Sequence, residues 1–311
     1  MPDTVTQQAA SPTPAAAERE FTVKVRTQRE IVFRRYLEHR AAVVSSVVLL
    51  LLILVAFFGP LFWHTPFTLM TNDIEVGPST AHPFGTDSNG FDLFSQVLHG
   101  TQRSLEIAVS VSLVSTVFGA IYGAAAGFYR GWIDTIMMRF ADLVLTLPAL
   151  VFAIIITDKA SPTVAGQWYF LAAILAALFW PSCARVVRAQ VLSLREKEFV
   201  EAARALGAND RRIIFRHILP NTLGSIFVIA TLTVAGTVLV ETALSFLGFG
   251  IKPPDTSLGL LVESGKTAIQ DGYPWLFYIP GIFIVLIVLT INFIGDGLRD
   301  AFDPQQTRVR A

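Results

Sequence analysis

Residues 41–63 read AAVVSSVVLLLLILVAFFGPLFW, a run without a single Asp, Glu, Lys or Arg. As a helix rising about 1.5 Å per residue, it reaches roughly 35 Å. That exceeds the thickness of a bilayer's hydrocarbon core, about 30 Å. Working outward, the same test finds uncharged stretches at 107–129, 160–184, 217–240 and 272–295. A shorter one, 143–157, becomes long enough if it starts near Ile136 and takes in Arg139 and Asp142. Six spans follow, and the predicted fold class is an all-α membrane protein.

Composition agrees. Of the 311 residues, 53% are hydrophobic and only 15% charged, well below the ~25% charged residues usual in soluble domains. The formal net charge is zero, which argues against a nucleic-acid partner because phosphates call for a basic excess. Disorder requires low hydrophobicity and is excluded on the same figures. One cysteine, Cys183, rules out a disulfide framework and cysteine-based zinc sites.

Charge asymmetry orients the spans, since Lys and Arg near span ends are retained in the cytoplasm. With six spans, twenty of the twenty-four Lys and Arg fall on the side shared by the two tails and by the loops after the second and fourth spans. Both termini are therefore predicted to be cytoplasmic. Residues 1–40 read as a cytoplasmic tail, 41–63 as an uncleaved first span, 64–103 as an extracytoplasmic segment and 299–311 as a second cytoplasmic tail. Within 64–103, Phe91, Phe94, Val97 and Leu98 have helical spacing and predict a short helix on the membrane surface.

The loop between the fourth and fifth spans (188–220) is strongly charged yet regularly apolar. Phe199, Ala202, Ala203 and Leu206 form one helical stripe, and Gly207 follows where a left-handed cap favours glycine. Asn209 and Asp210 can cap a second helix bearing Ile213, Ile214, Phe215 and Ile218, with Pro220 near its return to the membrane. Two short helices joined by a tight turn suit another protein's groove.

These residues carry a family resemblance. Glu201-Ala202-Ala203, then Gly207, then His217-Ile218-Leu219-Pro220 resembles the EAA motif of ABC-importer permeases, EAA-x3-G-x9-I-x-L-P, with His217 where isoleucine is more general. The ending His217 to Asn221 is typical of the peptide-transporter branch. Three further segments point the same way: His82 to Asp87, Glu241 to Gly248 and Gly295 to Asp300. Together they resemble the C-type permease of dipeptide and oligopeptide importers over about residues 30–304. Phe91 and Leu258 depart from the family pattern, which commonly has arginine and a nearby tryptophan there.

The resemblance implies a six-span type I importer bundle, with a permease domain over 104–298 and coupling helices in the cytoplasm. Its implied partners are a homologous second permease, two ATPase subunits, an extracytoplasmic peptide-binding protein, the peptide itself and membrane lipid. The chain would hold no cofactor and catalyse nothing. Glu201, Ala202, Ala203, Leu206, Gly207, His217, Leu219 and Pro220 would serve ATPase coupling. An importer of nickel chelates or another small solute fits the same architecture. An ion-coupled secondary transporter is the contrasting class; it calls for inverted repeats or midplane carboxylates and leaves the projecting loop without a role.

Other features are weaker. Ser264 to Thr267 mimics the end of a phosphate loop, but the required earlier glycine is Leu260. The histidines His39, His64, His82, His99 and His217 lack zinc-motif spacing. Glu241 lies about twenty residues into the fifth span, where an unpaired carboxylate is costly; it reads either as a polar contact between spans or at the interface, or as a candidate translocation-path residue. Arg139 and Asp142 are placed to neutralise each other at i,i+3. Gly119, Gly123, Ala124, Ala125, Ala126 and Gly127 predict close helix packing of the second span.

Overall fold

The computed structural model describes residues 28–302. The predicted tails 1–40 and 299–311 therefore lie largely outside the described residues. Helix α1 (Gln28–Glu38) meets α2 (Arg40–Phe62) at His39, whose ring nitrogen accepts the Ala42 N–H at 3.1 Å and caps the first span.

Helix α3 (Leu93–Tyr129) starts fourteen residues before the second uncharged stretch. Asp92 sets the start by accepting the Ser95 N–H at 3.0 Å, an N-cap of the usual kind. The predicted surface helix is thus not a separate element. Phe94, Val97 and Leu98 are the first turns of α3, and Val97 and Leu98 are fully buried. Charges hid this continuity: Arg103 and Glu106 pair along the helix at 2.6 Å, and Arg103 also reaches Asp255 at 2.9 Å.

Helices α4 (Gly131–Thr146) and α5 (Ala149–Lys159) together make the third span, bent by 77° at the break. The cause is Pro148, which lacks an N–H and disfavours helical geometry at Leu147. Asp142 does not pair with Arg139 as predicted. Its partner is Arg185, 2.5 Å away across the bundle. After the short α6 (Pro162–Ala165), α7 (Trp168–Leu194) runs ten residues past the predicted end of the fourth span. It can do so because Arg185 and Arg188 meet carboxylates of α4; Arg188 grips Asp134 in a two-pronged pair at 2.5 and 2.7 Å.

Next come α8 (Glu198–Ala205), α9 (Asp210–Arg212), a π-helical segment (Ile213–Ile218) and α10 (Leu219–Phe246). The predicted second loop helix does not stop before the membrane. Residues 210–246 form one continuous helical unit of 37 residues. Helices α11 (Leu258–Ala268) and α12 (Trp275–Phe302) complete the bundle. Five units are long and apolar enough to cross a membrane, and the bent pair supplies a sixth.

The central seam joins α3 to α7. A Cβ on Gly119 would lie 2.5 Å from the Trp180 carbonyl oxygen, and one on Gly127 would lie 2.9 Å from that of Arg188; Gly123 is tighter still against Ala184. Three glycines at four-residue spacing therefore let the two backbones touch, as small residues do between helices in lipid.

Candidate functional site

The projecting segment is built from its caps. Helix α8 ends in a left-handed turn at Gly207, with φ of +79°. The Gly207 N–H reaches the Arg204 carbonyl at 2.9 Å and the Ala208 N–H reaches that of Ala203 at 3.0 Å. That reciprocal pair is a Schellman motif. The Asn209 side chain then accepts the Arg212 N–H at 2.9 Å and opens the next helix. At Leu219 the N–H bonds five residues back to Ile214. This widened turn carries the chain past Pro220, which has no N–H to place.

Anchoring and exposure divide the segment. Val200, Ala203, Ile213, Ile214 and Ile218 are buried against Phe128, Val187 and Val191, with Leu219 packed at the edge. The guanidinium groups of Arg195 and Arg204 lie over the Phe128 ring, 5.9 and 5.4 Å from its centre. Arg195 also donates to the Phe128 carbonyl, and Arg130 pairs with Glu196 at 2.8 Å. The stripe read from sequence is used only at its edge. Ala203 turns inward beside Val200, while Phe199, Ala202 and Leu206 remain outside, Leu206 being 89% exposed. Glu201, Gly207 and Pro220 are exposed as well, and His217 is half-buried, its carbonyl accepting from the Asn221 amide at 2.6 Å. The predicted coupling residues are thus gathered on one projection.

The opposite end has its own polar centre. Asp92 is fully buried and accepts from the Trp63 indole at 2.9 Å as well as from Ser95; His82 sits 2.9 Å from it and 3.3 Å from Asp73. The hydrogen bond to Asp92 raises the His82 pKa above its ordinary value, against the opposing effect of burial, and Asp73 adds to the rise. Of the two departures from the family pattern, Phe91 lines an open cavity of about 740 Å³ and Leu258 is a fully buried core residue.

Glu241 is not on an open surface. It is fully buried and accepts hydroxyl hydrogen bonds from Ser104 of α3 at 3.0 Å and Ser245 of α10 at 2.7 Å. Ser257, which caps α11, donates to Ser245 at 3.3 Å. Three helices therefore meet at this carboxyl group. Two arrangements had no clear sequence signal: the Asp134–Arg188 pair, whose members lie 54 residues apart, and the two arginines over Phe128.

Residues 115–308 match the family described as the inner membrane component of binding-protein-dependent transport systems. The chain belongs to this family. Residues 27–78 match the N-terminal transmembrane domain of oligopeptide transport permease C. The oligopeptide transport system permease protein OppC of Mycobacterium tuberculosis is 42% identical over 285 residues, covering 91% of this chain and 97% of that protein. A putative peptide permease protein of Brucella suis is 42% identical over 277 residues, covering 87% and 89%. Among solved structures, the methionine ABC transporter MetNI in inward-facing conformations matches with a TM-score of 0.53 at 18% identity, over 68% of this chain and 98% of that one. That likeness bears on fold alone, and it places the bundle in the type I importer class. The permease is a multi-pass inner-membrane transport component, and its family is not one of enzymes.

Proposed function

We propose that the permease is one of two homologous membrane subunits of an ATP-driven importer of di- and oligopeptides. In this reading both termini are cytoplasmic, an extracytoplasmic binding protein delivers the peptide, and two ATPase subunits drive the cycle from the α8 side. The peptide assignment is supported by the peptide permeases among the relatives. An importer of nickel chelates or another small solute would share the same architecture.

The observation that carries the coupling role is the half-used stripe of α8. Val200 and Ala203 lock one edge of the helix to the bundle, so the bare apolar edge Phe199, Ala202 and Leu206 moves with the spans. A rigidly mounted apolar edge rimmed by Glu201 and Arg204 suits a groove on a partner. Gly207 shapes the turn, while His217, Leu219 and Pro220 join it to α10. A photo-crosslinker at position 199 or 206 should capture an ATPase subunit, and one at buried position 200 should not. Uptake of labelled di- and tripeptides by cells expressing the whole complex tests the substrate. Uptake that survives deletion of the ATPase genes would overturn the reading.

A further inference from the structure

Resting on that importer reading, we propose that the break in the third span lines the water-filled path and lends its backbone groups to a passing peptide's main chain. The break is set by Leu147 and Pro148. Of the carbonyls closing α4, Val144 accepts from the Leu147 N–H at 3.2 Å and Leu143 from the Thr146 hydroxyl at 2.7 Å. Among the described residues, nothing takes the carbonyls of Leu145, Thr146 and Leu147, and nothing accepts from the N–H groups of Ala149, Leu150 and Val151. Pro148 offers α5 no side-chain cap.

The depth of the break makes this consequential. Val144 packs both against the cluster holding Leu178 and against the one holding Trp180 and Ala184. The break therefore lies well inside the uncharged part of α7, which ends at Arg185. Unsatisfied backbone groups cost several kcal/mol each in hydrocarbon, and open backbone at that depth occurs only within protein or along a wet cavity. Yet Leu145, Thr146, Leu147 and Pro148 are all exposed in the chain. A second permease pressing apolar helix faces onto them would leave the same groups unpaired. Water and peptide backbone would not. The end of α4 offers acceptors and the start of α5 offers donors, side by side. An extended peptide carries both kinds of group whatever its side chains, so the arrangement suits recognition that is indifferent to sequence.

The test places single cysteines at Leu145, Leu147 and Val151, with Leu50 on α2 for comparison, in a Cys183→Ala background of the assembled complex in membranes. A charged maleimide should label the three positions at least tenfold faster than position 50. Saturating trialanine with binding protein should slow that labelling at least threefold. Pro148→Ala, which lets the helix run on across the break, should cut trialanine uptake at least tenfold at unchanged membrane content, while Pro148→Gly, a poor helix former that keeps the break, should retain it. Labelling no faster than at position 50 overturns the proposal, as does blockage that is independent of peptide and yields crosslinks to the second permease. If the wild-type complex takes up no peptide, the importer reading fails by itself, and labelling still reports whether the break is wet.

Discussion

The Gly207 turn allows a graded experiment, because its two possible costs separate. A Cβ added there would meet no atom within 4 Å, so substitution creates no clash. What remains is the backbone: φ is +79°, and leaving glycine there costs about 1–2 kcal/mol for an ordinary side chain, more for a β-branched one and less for asparagine. Each 1–2 kcal/mol lowers the fraction of molecules holding the native turn by a factor of up to about 5–30. Gly207→Asn should therefore behave almost as the wild type, Gly207→Ala should lose up to about fivefold in coupling, and Gly207→Val the most. The assay is ATPase activity of the complex in nanodiscs, with and without peptide-loaded binding protein. Membrane content should not change, because Val200 and Ala203 still hold α8 to the bundle. Equal stimulation in the Val and Gly proteins would refute the reasoning, as would an Asn variant as damaged as Val.

Removing Arg188 should strand Asp134, whose side chain is only 13% exposed. Arg188→Ala should lower stability in detergent by about 2–4 kcal/mol, while Asp134→Leu combined with Arg188→Leu should recover much of it, as a thermal-unfolding series would report. At the three-helix seam, Glu241→Leu leaves the Ser104 and Ser245 hydroxyls without their acceptor and should cost about 1–3 kcal/mol. Glu241→Gln should keep assembly and stability near wild type, and a Gln variant as unstable as Leu would remove hydrogen bonding as the reason for the burial. The raised pKa of His82 fixes a sign. Protonated His82 stabilises the fold fully below its unfolded pKa of about 6.5, and that contribution is lost as pH rises through the higher folded value. His82→Gln should flatten the fall in melting temperature on the alkaline side of pH 6.5, measured against wild type.

Much of this was legible in the sequence because hydrocarbon imposes a one-dimensional rule: length and charge alone locate spans at 41–63 and 272–295. The turn at Gly207 and the cap at Asn209 were equally readable, being local chemistry. The same rule failed where charges were neutralised in three dimensions. The Arg103 pairs masked the early start of α3, and Arg185 and Arg188 masked the length of α7. The Arg139–Asp142 expectation failed because sequence spacing cannot see a partner 43 residues away. Which edge of the Phe199–Leu206 stripe would turn inward also depended on contacts with α3 and α7. Pro148 was visible all along, but only the geometry shows that it divides a span.

Residues 210–246 combine length with stiffness, about 55 Å from end to end. In the proposed importer the unit would act as a lever whose short arm is the tip beside α8 and whose fulcrum is the widened turn at Ile213–Ile218. Rocking the tip by about 5° about that pivot would sweep the far end, where Glu241 sits, through several ångströms, on the order of 4 Å for the rise beyond the pivot. A small stroke supplied at the α8 end would thereby be magnified at the other end of the same helix.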